Sequence, residues 1–143
     1  MIHSDIMEMP IANDGSRDVI TLTDDYSRGL WAYAMRWKHE ALQKFRLLEA
    51  WVYRQFGAQI KRFLTDNGRE YLPIGKHLET WGVEFDTSPL YCKGQNGLVE
   101  RTNRTIWERI NTLLSDANLS PSWWVELVDT VVYLKLRAPA SIL

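Results

Sequence analysis

Two kinds of hydrophobic spacing divide this chain, and their order restricts the folds open to it. From Ile2 to Trp37 the apolar residues fall into three short runs, Ile2 to Met7, Val19 to Asp25 and Leu30 to Trp37. Each has the length of a strand and is bounded by turn-forming residues, including Asn13-Asp14-Gly15 and the hairpin-length Asp25 to Gly29. From Glu40 onward the period changes. Leu42, Phe45, Leu48, Val52 and Phe56 recur at the spacing of one helical face, and Gly57 follows as a C-terminal stop. Two more strand-like runs, Gln59 to Thr65 and Val83 to Thr87, flank a short helical stretch from Lys76 to Trp81 that Gly82 closes. Helices over Val99 to Ala117 and Ser122 to Arg137, parted by Ser120-Pro121, come last. Strands first, then strands alternating with helices, predict an α/β fold with a five-stranded mixed sheet flanked by helices.

Composition agrees with one globular domain over residues 1–143. Seven tryptophans, six tyrosines and four phenylalanines supply bulky burial, which argues against intrinsic disorder. No apolar run is long enough to cross a bilayer, and Asp5 interrupts any signal-peptide pattern, so an intracellular chain with no membrane partner is expected. The single cysteine, Cys92, excludes an internal disulfide and a multi-cysteine zinc site, and His3, His39 and His77 are scattered. A net charge of −1 gives no bulk attraction to nucleic acid. Any such binding must be local.

Three acids stand at the edges of regular elements. Asp5 and Asp66 each end a strand-like run, and Glu100 opens the first turn of a helix after Lys93-Gly94-Gln95-Asn96-Gly97, a segment whose two glycines suggest a flexible loop. Each acid alone has a plainer reading. Asp66-Asn67-Gly68 is an ordinary turn, Glu100 can pair with Arg104 one helical turn on, and Asp5 can be a surface carboxylate. Asp24 and Asp25 read as hairpin-turn acids. Lys93, Arg101, Arg104 and Arg109 surround Glu100 in sequence, and Lys61 and Arg62 precede Asp66. On the same helix Glu100, Asn103, Arg104 and Trp107 share one face, which can meet DNA or stay solvated, while Ile106, Ile110 and Leu113 share an inward one. His3 lies on the same side of its strand as Asp5 and reads as structural.

Taken together, Ile2-His3-Ser4-Asp5, Leu64 to Tyr71 and Gln95 to Arg104 resemble the Asp, Asp, Glu catalytic core of retroviral-type integrases, most closely those of copia-type retrotransposons, in the ribonuclease H-like superfamily. Leu22 to Arg28 resembles the family's second-strand signature, and Trp123-Trp124 with Tyr133 to Pro139 its final helix, so the likeness covers nearly the whole chain. One departure is visible: 33 residues separate Asp66 from Glu100, slightly fewer than the family shows, with the shortening between Tyr71 and Leu78.

The resemblance implies a ribonuclease H-like sheet and a magnesium- or manganese-dependent enzyme that cleaves and joins DNA strands. Asp5, Asp66 and Glu100 would be both its catalytic residues and its metal ligands, with Asp5 bridging two ions. It implies element ends and target DNA as partners, action in the nucleus and assembly into a homo-oligomer, to which exposed tryptophan surface at Trp123-Trp124 can contribute. Lys93, Gln95, Asn96, Arg101, Asn103 and Arg104 are the candidate nucleic-acid contacts. Complete members carry a His/Cys zinc module before the core and a basic domain after it, so this chain is expected to be a core piece of a larger polyprotein. A hydrolytic ribonuclease H-like nuclease is one rival reading; a degenerate or domesticated fragment that binds nucleic acid or protein without catalysis is another.

Overall fold

A computed structural model of the chain describes residues 1–66, 68–87 and 93–138, and for residues 93–96 the backbone alone. Strands β1 (Ile2–Glu8), β2 (Asp18–Asp24) and β3 (Leu30–Met35) form an antiparallel meander. Helix α1 (Ala41–Phe56) then carries the chain to β4 (Arg62–Leu64), and α2 (Leu72–Thr80) carries it to β5 (Glu84–Asp86). Two helices follow, α3 (Lys93–Asp116) and α4 (Trp124–Arg137). The sheet order is β3-β2-β1-β4-β5. β1 pairs antiparallel with β2 on one side, from Ile2 opposite Asp24 to Glu8 opposite Asp18, and parallel with β4 on the other, with Ile2 beside Phe63 and His3 beside Leu64. This is the mixed five-stranded sheet that the alternation of periods predicts.

Both faces of the sheet are covered. On one, Ile2, Ile20, Leu22, Met35 and Phe63 pack against Ala41, Phe45 and Leu48 of α1 and Ile74 and Leu78 of α2. Val19, Leu30 and Ala32 on the other face meet Ile106, Ile110 and Leu114 of α3 and Trp124, Val128 and Val131 of α4. Successive side chains of a strand point to opposite faces, so a strand covered on both must bury nearly every residue. β2 does so from Asp18 to Thr23, which is why its threonines are buried along with its aliphatics.

Local contacts secure the helices. Gly57 takes φ 59° at the end of α1 and its N–H donates to the Tyr53 carbonyl at 2.8 Å, the left-handed termination that glycine adopts freely. Fully buried Trp124 donates its indole N–H to the Pro10 carbonyl at 2.6 Å, and the Asn13 N–H donates to the Ser122 carbonyl at 3.0 Å. The start of α4 is thereby tied to the β1–β2 connection. Trp123, its neighbour, stays partly exposed. Among the described residues no helix is long and apolar enough to cross a membrane.

Several boundaries differ from the sequence expectation. β4 is confined to Arg62–Leu64, the three residues that pair with β5, of which Phe63 and Leu64 also pair with β1; Ile60, before the strand, is still buried. α2 begins at Leu72, with Pro73 in its first turn, where a missing N–H costs nothing. Gly75 sits inside that helix because a Cβ there would stand 2.9 Å from the Phe85 ring. The glycine marks a close helix–strand approach. Phe56, counted on the inward face of α1, is 70% exposed against Trp51, since that face is fully buried only as far as Leu48 and ends with the partly buried Val52.

Phe45 is fully buried with its ring edge-on to Phe63 at 4.8 Å. Phe45→Ala is expected to lower unfolding free energy by about 3–5 kcal/mol, whereas Phe56→Ala should cost under about 1 kcal/mol. Urea titrations of the two variants check this, and similar losses would refute the assignment of the core.

Candidate active site

Alternation along β1 decides which residues face α3. Ile2 and Ile6 pack on the α1 side, so His3, Asp5 and Met7 point the other way, and Met7 packs on the α3–α4 cluster. The parallel register with β4, continued two residues past His3 and Leu64, brings Asp66 level with Asp5. Asp66 stands just beyond the strand, where its Oδ1 accepts the Gly68 N–H at 2.9 Å and its carbonyl accepts the Thr65 hydroxyl at 2.8 Å. A Cβ at position 68 would lie 3.0 Å from Asp66 Oδ1 and 2.5 Å from Glu70 Oε1, so the glycine leaves room for both carboxylates. Glu100 comes from α3 and is exposed. The three acids line one cleft of about 130 Å³, together with His3, Ser4, Leu64, Thr65 and Val99.

Asp5 is the most constrained of the three. Its Oδ1 accepts the Ile6 N–H at 2.9 Å and its Oδ2 accepts the Asn103 side-chain N–H at 2.7 Å. Asn103 is buried, and its own oxygen accepts the Thr21 hydroxyl at 2.9 Å. Burial raises the Asp5 pKa above its ordinary 3.8, and the charges of Asp66 and Glu100 raise it further, against the opposing effect of the two N–H donors. Beneath the cleft, on the α1 side, Ser4 Oγ and Tyr71 Oη share a buried hydrogen bond at 3.2 Å, and burial drives the Tyr71 phenol well above its ordinary pKa. His3 is buried too, and desolvation lowers its pKa. Its Nε2 has no hydrogen-bond partner among the described residues; Asp25 Oδ1 stands 3.7 Å away.

The remaining candidates are distributed unevenly. Arg101 and Arg104 are exposed on α3, one and four residues past Glu100. Asn103, expected at DNA, is instead committed inside the protein, because both ends of its amide are bonded to Asp5 and Thr21. The flexible loop expected over Lys93 to Gly97 is a correction of the same kind: α3 begins at Lys93, and the helix runs through both glycines. Glycine lowers helix stability by only about 1 kcal/mol per residue, a propensity that a long helix overrides. The side chains of Lys93, Gln95 and Asn96 lie outside the described residues. Arg62 turns away to Glu84 at 3.5 Å and Asp86 at 3.9 Å, and Asp24 closes the hairpin by accepting the Ser27 N–H and hydroxyl.

All three acids offer hard oxygen donors, which suit magnesium or manganese, and their mutual repulsion is what a cation would relieve. Among the described residues no group of three or more His, Cys, Asp or Glu side chains is drawn together closely enough to hold an ion as it stands. The donor chemistry therefore fits a divalent cation, with the ligands apart.

The family model of the integrase core domain matches residues 1–92. The chain belongs to the integrase core domain family. It is 34% identical over 145 residues to the retrovirus-related Pol polyprotein from transposon TNT 1-94 of Nicotiana tabacum, a match covering 98% of this chain and 11% of that one. A Pol polyprotein from transposon RE2 of Arabidopsis thaliana is 32% identical, covering 99% of this chain and 10% of its own length. The chain thus spans about a tenth of the curated relatives it matches. The HTLV-2 integrase catalytic core domain in complex with magnesium superposes with a TM-score of 0.67 at 17% identity, over 92% of this chain and 81% of that one. The BIV integrase catalytic core domain does so with a TM-score of 0.68 at 14% identity, over 98% and 86%. The fold is that of integrase catalytic cores, ribonuclease H-like as the sequence implies.

Sequence reasoning missed Thr21. The available signal was a strand in which Val19, Thr21 and Thr23 share a face; hydroxyls on a doubly covered strand need buried partners.

The raised Asp5 pKa makes a pH prediction for this integrase core. The folded protein holds the Asp5 proton more tightly than the unfolded chain, so Asp5 favours folding at acid pH and loses that contribution as pH rises from 3.8 through the raised value. In chelator, the melting temperature of Asp5→Asn relative to the parent should therefore climb as pH rises from about 4. A difference that is flat or falls with pH would contradict the assigned environment.

Proposed function

We propose that this chain is the catalytic core of a copia-type retrotransposon integrase, a polynucleotidyl transferase that cleaves and joins DNA strands during integration. The convergence of Asp5, Asp66 and Glu100 from β1, the end of β4 and α3 on one cleft is the observation that carries this reading. The three carboxylates would hold the divalent cations. Bound there, the cations would supply an activated oxygen nucleophile and neutralise charge at the attacking and leaving oxygens.

The protein's own residues prepare the site for that load. Asp5 is oriented by the Ile6 N–H and the Asn103 amide, and Asp66 by the Gly68 N–H, so two of the three carboxylates are aimed before any ligand arrives. Glu100, exposed on the first turns of α3, keeps its rotamer freedom and can complete the set. Burial raises the Asp5 pKa first and the charges of Asp66 and Glu100 add to it, and a cation bound among the three acids would relieve that repulsion. Arg101 and Arg104 make no ion pair among the described residues, which leaves both guanidinium groups available to phosphate oxygens near Glu100. The larger polyprotein, of which this chain is the core segment, would supply the remaining DNA contacts.

The test is cleavage and joining of a branched DNA substrate with magnesium or manganese. Activity that Asp66→Asn and Glu100→Gln each abolish, with folding intact, is the expected outcome. A folded parent chain that neither cuts nor joins with either metal would favour a binding module without chemistry. For Arg104→Ala, DNA affinity should fall alike for all sequences, and the slope of log affinity against log salt should shrink by about 0.9. An unchanged slope would remove Arg104 from the phosphate contacts.

A further inference from the structure

Thr21 does not line the cleft, yet its hydroxyl is the last link of a chain that ends on Asp5. It is 1% exposed, directly opposite Asp5 in the β1–β2 ladder, and it donates to Asn103 Oδ1 at 2.9 Å while Asn103 Nδ2 donates to Asp5 Oδ2 at 2.7 Å. Three elements, β2, α3 and β1, meet in these two bonds.

The oxygen and nitrogen of an asparagine amide have nearly the same shape, so packing alone does not decide which end faces Asp5. The partners decide it. With its oxygen toward Asp5, Asn103 would set an acceptor against a carboxylate, a repulsive contact in a buried place. With its nitrogen toward Asp5, the oxygen needs a donor, and among the described residues Thr21 Oγ1 provides it. That hydroxyl has one proton and one other acceptor in reach, the Asp5 carbonyl at 3.4 Å, a longer and weaker option.

We propose that Thr21 is a positioning residue of the catalytic cleft: the Asp5 carboxylate selects the nitrogen end of the Asn103 amide, and the Thr21 hydroxyl holds the oxygen end in place, and through it the direction of the Asp5 lone pairs that receive the cation. The inference rests on the integrase reading above, because it takes Asp5 as a cation ligand. Groups that bond a metal ligand from behind typically contribute ten- to a hundred-fold in metal affinity, and Thr21, acting on such a group, is set at the lower end of that range. Loss of the Thr21 hydroxyl should therefore weaken cation binding without changing any group that touches the cation or DNA.

The experiment compares Thr21→Ser with Thr21→Ala, which remove the same methyl group and differ only in the hydroxyl, and adds the isostere Thr21→Val. Thr23→Val serves as a control for buried hydroxyl loss on the same strand face. Manganese affinity is read from the thermal upshift of each protein, and the Asn103 side-chain amide resonances report its orientation. The expected result is near-parental affinity for Thr21→Ser and Thr23→Val, and affinity roughly ten-fold or more weaker for Thr21→Ala and Thr21→Val, with displaced Asn103 amide shifts. Equal affinity in Thr21→Ser and Thr21→Ala, or unmoved Asn103 resonances in Thr21→Ala, would overturn the proposal. Failure of the parent chain to bind manganese would instead overturn the integrase reading on which it stands.

Discussion

Everything about the cleft depends on the parallel alignment of β1 and β4. The contact is short, Ile2 beside Phe63 and His3 beside Leu64, yet a shift of one residue would turn Asp66 away from Asp5. The register is held from outside the pair. β1 is pinned along its whole length to β2, and Phe63 is clamped among Phe45, Tyr71 and Phe85, with ring centroids 4.8 to 6.2 Å apart. Aromatic packing on one face of the sheet thus fixes the position of a carboxylate on the other. The Ser4–Tyr71 hydrogen bond extends the same logic to the residue next to Asp5.

Stability and chemistry pull in opposite directions at this site. A hydrophobic residue at position 5 would suit a position on a half-buried strand, whereas Asp5 is desolvated and faces two other acids. The protein offsets part of that cost with two N–H donors and leaves the rest unrelieved. Residual repulsion of this kind sets the cleft apart from an ordinary turn or strand end.

Element type and order were legible in the sequence because the change from period two to period 3.6 is itself the fold: three strands in a meander, then alternation. Asp66 lies just past its strand as the turn residues suggest, whereas Asp5, read as the end of a strand-like run, is the middle residue of β1, and Glu100, read as opening its helix, stands eight residues into α3 because that helix starts at Lys93. Asn103 was assigned to the wrong partner, since helical spacing placed it with Glu100 and Arg104 and cannot say that an amide one turn on is swallowed by the sheet. Gly94 and Gly97 read as a loop by propensity, a preference that a helix of 24 residues can override. Thr21 was invisible for a different reason. Its role exists only once β2 lies beside β1 and α3 lies across both, a juxtaposition of residues 82 positions apart. Corrections of this sort cluster where tertiary contacts decide what local chemistry leaves open.

The hydrogen bond from the Trp124 indole to Pro10 bridges 114 residues and joins the last helix to the first turn. On a ribosome, the chain would therefore emerge with Val19, Leu30 and Ala32 laid bare for most of its synthesis, their cover still unmade. Contacts of such long range delay folding and prolong the exposure of sticky surface. Until α4 closes over the sheet, that face of the nascent chain stays open to unwanted association.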